Sequence, residues 1–286
     1  MRGRCGDIGC WVGRLARGCE LCMEGLKTTV FITGVCPERC YYCPVSPERR
    51  GRDVFFVNEV RARSVNDVVL EAVASGSAGV GVTGGDPLAR LDRTVEVVKA
   101  LKDFFGSRFH VHLYTSGALL TDEAMEELVN AGLDEVRIHV TGERSWEAVR
   151  TALKHPVDVG VENPAIPGMA EELKGVVERA FREGVKFVNL NELEFSEGNM
   201  QELLARGFRA GSNGVAAAGS REVGVEVVKW VEDEGMDISV HYCPAAFKDR
   251  YQFRLRLKRR ALRTARVFEE VGDGVVSWAR LTECPS

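Results

Sequence analysis

The sequence predicts an α/β protein built on a parallel sheet, and three observations carry that prediction. Short apolar runs recur at 28–34, 78–83, 109–115, 135–140, 157–161, 185–190 and 237–240. The segments between them place apolar residues at helical spacing. Strand-type and helix-type segments therefore alternate, which implies right-handed βαβ units and parallel strands. Six or seven such units close into a full or partial (β/α) barrel, or lie open as a doubly wound sheet. The pattern alone leaves those alternatives open.

Taken in order, Thr28-Thr29-Val30-Phe31-Ile32-Thr33-Gly34 is a β-branched run that reads as a buried strand. Val65, Val68, Val69 and Ala72 fall at i, i+3, i+4 and i+7, and Leu91, Val95, Val98 and Leu101 form a similar stripe. Thr121 caps a further helix that buries Leu128 and Val129. Other helices are expected near 145–153, 169–183, 199–206 and 221–234. The proline-bearing segment 163–168 reads as a rigid loop on the side where such folds place ligands. Near the end, Gly272-Asp273-Gly274 turns into a short strand over 275–278.

Composition narrows the class. The 286 residues are 45% hydrophobic and 28% charged, ordinary values for a globular chain. No run approaches the ~18 consecutive apolar residues of a membrane span. Met1–Asp7 has no apolar stretch behind its charges, so a secretory signal is not expected and a reducing, cytoplasmic setting is. Charge is uneven: 248–266 holds nine basic residues and one acidic, a local +8 in a chain of net −4. Tyr251 and Phe253 among those arginines suit phosphate and base binding; a surface helix completing the fold explains the same residues. Within this extension Phe253, Leu255 and Leu257 alternate with Arg254 and Arg256 as a strand would, and 258–268 reads as a basic helix.

Nine cysteines stand at 5, 10, 19, 22, 36, 40, 43, 243 and 284, seven of them in the first 43 residues. Such clustering favours metal binding over a disulfide framework. Cys36, Cys40 and Cys43 are spaced C-x3-C-x2-C immediately after the first strand. Three thiolates on one short loop converge on a 4Fe–4S cluster with one iron left open, or on zinc with a distant fourth ligand. Cys19 and Cys22 form a C-x2-C pair. They make a second iron–sulfur or zinc site either with Cys5 and Cys10 or with Cys243, or they are unligated buried thiols. Cys284 has no expected role.

The triplet, with Tyr42 before its third cysteine, resembles that of the radical SAM superfamily. Thr83-Gly84-Gly85-Asp86-Pro87, at the end of the second strand, is similar to that family's Gly-Gly-Glu-Pro motif with Asp for Glu. Tyr114-Thr115-Ser116-Gly117 resembles its polar third-strand end. The resemblance covers roughly 27–195 and implies a partial (β/α)6-type barrel over 27–245, a Cys-rich arm over 1–26 and a basic extension over 246–286. It implies that Cys36, Cys40 and Cys43 hold a 4Fe–4S cluster whose open iron chelates S-adenosylmethionine. A one-electron reductant of flavodoxin or ferredoxin type then drives release of a 5′-deoxyadenosyl radical. Gly84 and Gly85 would meet the methionine ammonium, where the lack of a Cβ allows close approach. By the same resemblance Tyr42 would lie near adenine and Ser116 near the carboxylate or ribose. Asp86 keeps the charge of the usual Glu on a shorter arm. Asn191 and Glu192, at the end of the sixth strand, are candidate contacts to adenosine or substrate; the alternative is an acidic loop at a helix start. His139 is either a hydrogen-bonded core histidine or a cavity-lining one.

Overall appearance is similar to small archaeal-type radical SAM proteins described as like the pyruvate formate-lyase activating enzyme. Three functions follow: hydrogen abstraction from a protein, as activating enzymes do; modification of RNA through the basic extension; or, from another class, non-catalytic zinc or iron–sulfur binding.

Overall fold

The computed structural model describes residues 4–6, 8–212, 214–273 and 275–278, leaving the side chains of Asp249 and Arg250 undescribed. Cys284 lies outside the described residues. The chain opens with a hairpin, β1 (Arg4–Gly6) and β2 (Gly9–Val12), and a short helix α1 (Arg17–Met23). The first core strand β3 (Lys27–Phe31) follows, then a small hairpin, β4 (Phe56–Val57) and β5 (Val60–Arg61). Helix α2 (Val65–Ser75) begins the regular alternation: β6 (Gly79–Thr83), α3 (Leu91–Phe105), β7 (His110–Thr115), α4 (Asp122–Ala131), β8 (Glu135–Ile138), α5 (Glu143–Ala152). It continues through β9 (Asp158–Ala165), α6 (Ala170–Glu183), β10 (Phe187–Glu192), α7 (Met200–Ala205), α8 (Ser220–Asp233) and β11 (Ser239–Cys243). A short turn of helix α9 (Ala245–Phe247), a π-helical stretch Lys248–Phe253, and α10 (Arg254–Thr264) lead to a last hairpin, β12 (Glu270–Val271) and β13 (Val276–Ser277).

Strands β3, β6, β7, β8, β9, β10 and β11 pair in that order, all parallel. This is the expected partial barrel with a seventh parallel strand, β11. Its two ends do not meet. Beyond β3 the antiparallel hairpin β4–β5 occupies the free edge, and beyond β11 the hairpin β1–β2 does the same. Both edges have their backbone groups satisfied without closure. Strands β1 and β2 of the N-terminal arm are thus part of the sheet.

Alternation along each strand sends valine, isoleucine and leucine outward, where Val80, Val111, Val136, Val161, Val188 and Val240 meet the helix layer in one continuous core. The expected Thr121 cap is present, and α2 has caps of its own. Ser64 and Asp67 form a capping box on α2, Gly76 ends it with φ 58°, and Thr121 accepts from the Ala124 amide at 3.2 Å. Strand β9 runs on to Ala165, so half of the expected 163–168 loop is extended sheet.

Two expectations are corrected. Cys5 and Cys10 are disulfide-bonded, directly opposite each other across β1 and β2, which removes them from the four-cysteine metal set. Short spacing counted them as ligands, but a hairpin with a tight turn places residues five apart face to face. Residues 253–257 are helical, not strand-like. Their alternation reflects long arginine stems covering apolar surface. Helix α10 lies on α2, and its arginines serve the fold: Arg260 Nε donates to both Glu71 carboxylate oxygens at 3.0 Å, and Arg256 pairs with Glu59. Arg263 donates to the Val73 carbonyl at 3.0 Å and Arg259 to that of Glu24 at 3.1 Å. Two of the basic charges that motivated an RNA partner are ion-paired within the molecule, and two more donate to its backbone carbonyls.

Glu71 is buried, so removing Arg260 takes away its ion-pair partner and leaves only the neutral donors Asn58 and Ser75 on Oε1. Arg260→Ala should lower the urea-unfolding free energy by about 1–3 kcal/mol. Lys258→Ala, which removes no ion pair among the described residues, should change it by less than about 0.5 kcal/mol. Equal effects would separate α10 from the stability of the sheet.

Candidate active site

The ends of β3 and β6 continue to pair beyond the strands. Gly85 N donates to Thr33 O at 2.7 Å and Asp86 N to Val35 O at 2.8 Å. This approach leaves no room for side chains: a Cβ on Gly84 would lie 2.4 Å from Thr33 O, and one on Gly85 2.5 Å from Val35 O. Gly34 is tighter still, since a Cβ there would lie 1.6 Å from Arg49 O. The cysteine loop leaves the sheet through this crowded turn and folds back onto it, with Gly34 donating to Arg52 O and Gly51 to Gly34 O, both at 2.8 Å. The glycines read from sequence as ligand contacts are first of all required by chain packing against chain.

On this loop Cys36, Cys40 and Cys43 are partly exposed and unpaired. Burial, with the nearby Asp86 and the neighbouring thiols, pushes Cys36 up to about 11, and burial likewise raises Cys40. Three partly exposed, unpaired thiols on one short loop are a donor set suited to a cationic iron–sulfur or zinc centre, which would hold them as thiolates. Tyr42 Oη lies 2.7 Å from His139 Nε2, and His139 Nδ1 lies 3.0 Å from Glu162 O. His139 is therefore a hydrogen-bonded histidine that ties the cysteine loop to β8 and β9.

Asp86 is completely buried and its carboxylate is fully engaged. It accepts from Thr115 Oγ1 at 3.0 Å, Ser116 N at 3.0 Å, Ser116 Oγ at 2.6 Å and Leu88 N at 3.0 Å. Asp86 and Ser116 thus clamp the ends of β6 and β7 together. Sequence reasoning missed Asn199 and Arg50. Asn199 Nδ2 donates to Tyr42 O at 2.9 Å and to Glu194 O at 2.9 Å; Arg50 donates to Cys43 O at 2.6 Å and Gly198 O at 2.9 Å. Tyr41 and Tyr42 pack with Leu193, Phe195 and Phe208 in a second small core. The segment after β10 is therefore fastened to the cysteine loop, a long-range contact with no local signature.

The concave side of the sheet carries a buried polar network. Buried Arg137 donates to Glu135 Oε1 at 2.5 Å and Glu162 Oε2 at 3.0 Å, and lies over the rings of Tyr114 and Phe187. Asn189 and Asn191 donate to Glu162 at 3.0 and 2.7 Å. Burial would raise Glu162, but Arg137 and these amides hold it below the usual carboxylate value. The neighbours on β10 part company, as alternate strand residues must. Asn191 joins this network, whereas Glu192 accepts from Ala245 N at 2.7 Å and fixes the chain after β11. Helix α1 lies against the same concave side, where Cys19 Sγ is 3.4 Å from Asn189 Nδ2. Burial raises Cys243, and Cys19 and Cys22 are close enough to raise it further. The structure thus brings Cys19, Cys22 and Cys243 to one region, while Cys5 and Cys10 are bonded to each other.

Among the described residues no helix is long and apolar enough to cross a membrane. The family model of the radical SAM superfamily matches residues 30–186. A Methanocaldococcus jannaschii protein named as a candidate glycyl-radical enzyme activating enzyme is 41% identical over 91% of this chain and 71% of its own length. A PqqA peptide cyclase from Bradyrhizobium diazoefficiens is 37% identical over 44% of this chain. The chain spans only 31% of that cyclase. Among solved structures, Streptococcus suis SuiB bound to the precursor peptide SuiA superposes with a TM-score of 0.55 at 12% identity, over 77% of this chain and 48% of SuiB. Methylornithine synthase superposes with a TM-score of 0.51 at 13% identity, over 71% of this chain and 62% of its own.

Two outcomes follow from this geometry. Asp86→Ala strands the donors of Thr115, Ser116 and Leu88 and should cost about 2–4 kcal/mol in urea unfolding. A change below about 0.5 kcal/mol would show that the clamp is dispensable. Burial, with Arg137 nearby, pushes His241 down to about 4, below an unfolded value near 6.5. The stability it contributes is complete above about pH 6.5 and is lost as pH falls through about 4. Its share is about 3 kcal/mol, so the unfolding free energy should decline over that window and His241→Asn should flatten the decline.

Proposed function

The chain belongs to the radical SAM superfamily, and from that premise we propose that it binds its 4Fe–4S cluster through Cys36, Cys40 and Cys43 and abstracts hydrogen from a protein or peptide. When bound, the reduced cluster supplies the electron that breaks the sulfonium C–S bond of S-adenosylmethionine and yields a 5′-deoxyadenosyl radical. One observation carries the reading. Three unpaired thiols sit on a loop that the Gly84-Gly85-Asp86 turn hydrogen-bonds into a single platform at the strand ends.

This chain's residues divide the work. Gly34, Gly84 and Gly85 set the height of the cysteine loop over the sheet, and the backbone at Gly84 and Gly85 receives the methionine ammonium. Asp86 acts one step behind, orienting Ser116 toward the methionine carboxylate or ribose. Tyr42, fixed by His139, flanks the adenine. Asn191, oriented by Glu162, faces the substrate side. The peptide reading is supported by the name of the archaeal relative and by the peptide-acting names among the other similar proteins. The electron donor is a small one-electron carrier of flavodoxin or ferredoxin type. The arginines of α10 that are bound to its own fold weaken the case for RNA.

Anaerobic reconstitution should load about four irons on the triplet. With dithionite and S-adenosylmethionine the protein should form 5′-deoxyadenosine, and Cys40→Ala should abolish both. Stoichiometric zinc with no nucleoside product would overturn the reading.

A further inference from the structure

We propose a second metal site, distinct from the cysteine triplet, in which His110, His112 and Glu135 hold one divalent transition-metal ion on the concave side of the sheet. The nitrogen and oxygen atoms these residues offer lie within 4.8 Å of one another, and all three residues are buried. His110 and His112 face the same side of β7 because they are two apart, and Glu135 opens the neighbouring strand, paired in register with His112.

The hydrogen bonding points to a missing ligand. His112 is completely buried with neither ring nitrogen partnered, and His110 Nε2 and Glu135 Oε2 are also unpartnered. An imidazole enclosed in this way normally finds a donor and an acceptor. Arg137 Nε donates to Glu135 Oε1 at 2.5 Å and leaves Oε2 without a hydrogen bond. His110 Nε2 lies 3.4 Å from that free oxygen, while its Nδ1 faces Asp134 at 3.9 Å, the side on which ligating histidines carry an outer carboxylate.

Two imidazoles and a carboxylate form a borderline donor set suited to zinc or ferrous iron. Helix α1 covers the site. A Cβ on Gly18 would come within 2.7 Å of both His112 and Arg137, so only glycine lets the helix settle there. The ligands stand at the starts of β7 and β8, whereas the cysteine loop leaves the far end of β3. At about 3.3 Å per strand residue the two centres are roughly 15 Å apart. The ion is therefore not an extra ligand to the cluster. It joins β7, β8 and the surroundings of α1.

The test uses the full chain carrying Cys36→Ser, Cys40→Ser and Cys43→Ser, treated with chelator and titrated with Zn(II) or Co(II). Expected are one tightly held ion per chain, cobalt d–d bands without strong thiolate charge transfer, and a melting temperature that rises with metal. Glu135→Gln and His112→Asn in that background should each weaken binding at least tenfold and remove the thermal shift. If the triple variant does not fold, reconstituted wild type and Glu135→Gln are compared instead; zinc plus non-cluster iron should differ by one ion per chain while cluster absorbance stays the same. No bound ion, or equal retention in the Glu135 and His112 variants, overturns the site. These readouts do not involve S-adenosylmethionine, so they stand or fall separately from the proposed activity.

Discussion

A buried guanidinium governs the concave side of this sheet. Arg137 is almost fully enclosed and cannot give up its proton, so its charge must be answered within the fold. Glu135 and Glu162 answer it directly, and Asn189 and Asn191 complete the shell of Glu162. The rings of Tyr114 and Phe187 cover its faces. The same charge helps keep His112 and His241 neutral. A barrel interior filled with valine and leucine would have needed none of this and would have left no polar space beneath the cysteine loop.

The rim depends on a different economy, that of backbone contact. Gly34, Gly84 and Gly85 let two chain segments approach closer than any Cβ permits, and the cysteine loop gains its position from that approach. Asp86 extends the lock from β6 to β7, and Asn199 and Arg50 extend it to the segment after β10. A shorter acidic side chain than the usual Glu suits this task. The carboxylate sits directly beneath Thr115 and Ser116, and another methylene would push into an enclosed slot.

Much of this was legible in the sequence, for identifiable reasons. Every parallel strand announced itself as an apolar run because both of its neighbours and the helix layer bury it. Helices such as α2 and α4 announced themselves through apolar stripes, and α4 also through its Thr121 cap. The cysteine triplet and the Gly-Gly-Asp-Pro turn were visible because their spacing is local. What escaped was set by contacts between distant segments. Arg137 looks like one charged residue in a strand, and nothing beside it indicates that Glu162 and Asn189 will close around it. The pairing of Cys5 with Cys10 needed a hairpin whose strands, only three and four residues long, are too short for periodicity to reveal. Gly18 carried no signal until α1 was seen against His112.

That last placement bears on how the molecule holds together. Helix α1 is seven residues long, below the length at which a helix stabilises itself, so its position must come from what it packs on. Part of that surface is apolar, since a Cβ on Gly79 would meet Leu21 Cδ1 at 2.6 Å. The rest is the polar floor of Arg137, His112 and Asn189. A short helix seated on buried polar groups is well ordered only if those groups are themselves fixed. The ion pairs of Arg137 fix one half of the floor. His112 has no hydrogen-bond partner among the described residues, and a bound cation would fix it in the same way, making α1 a cover over a metal centre whose ligands all lie in the sheet.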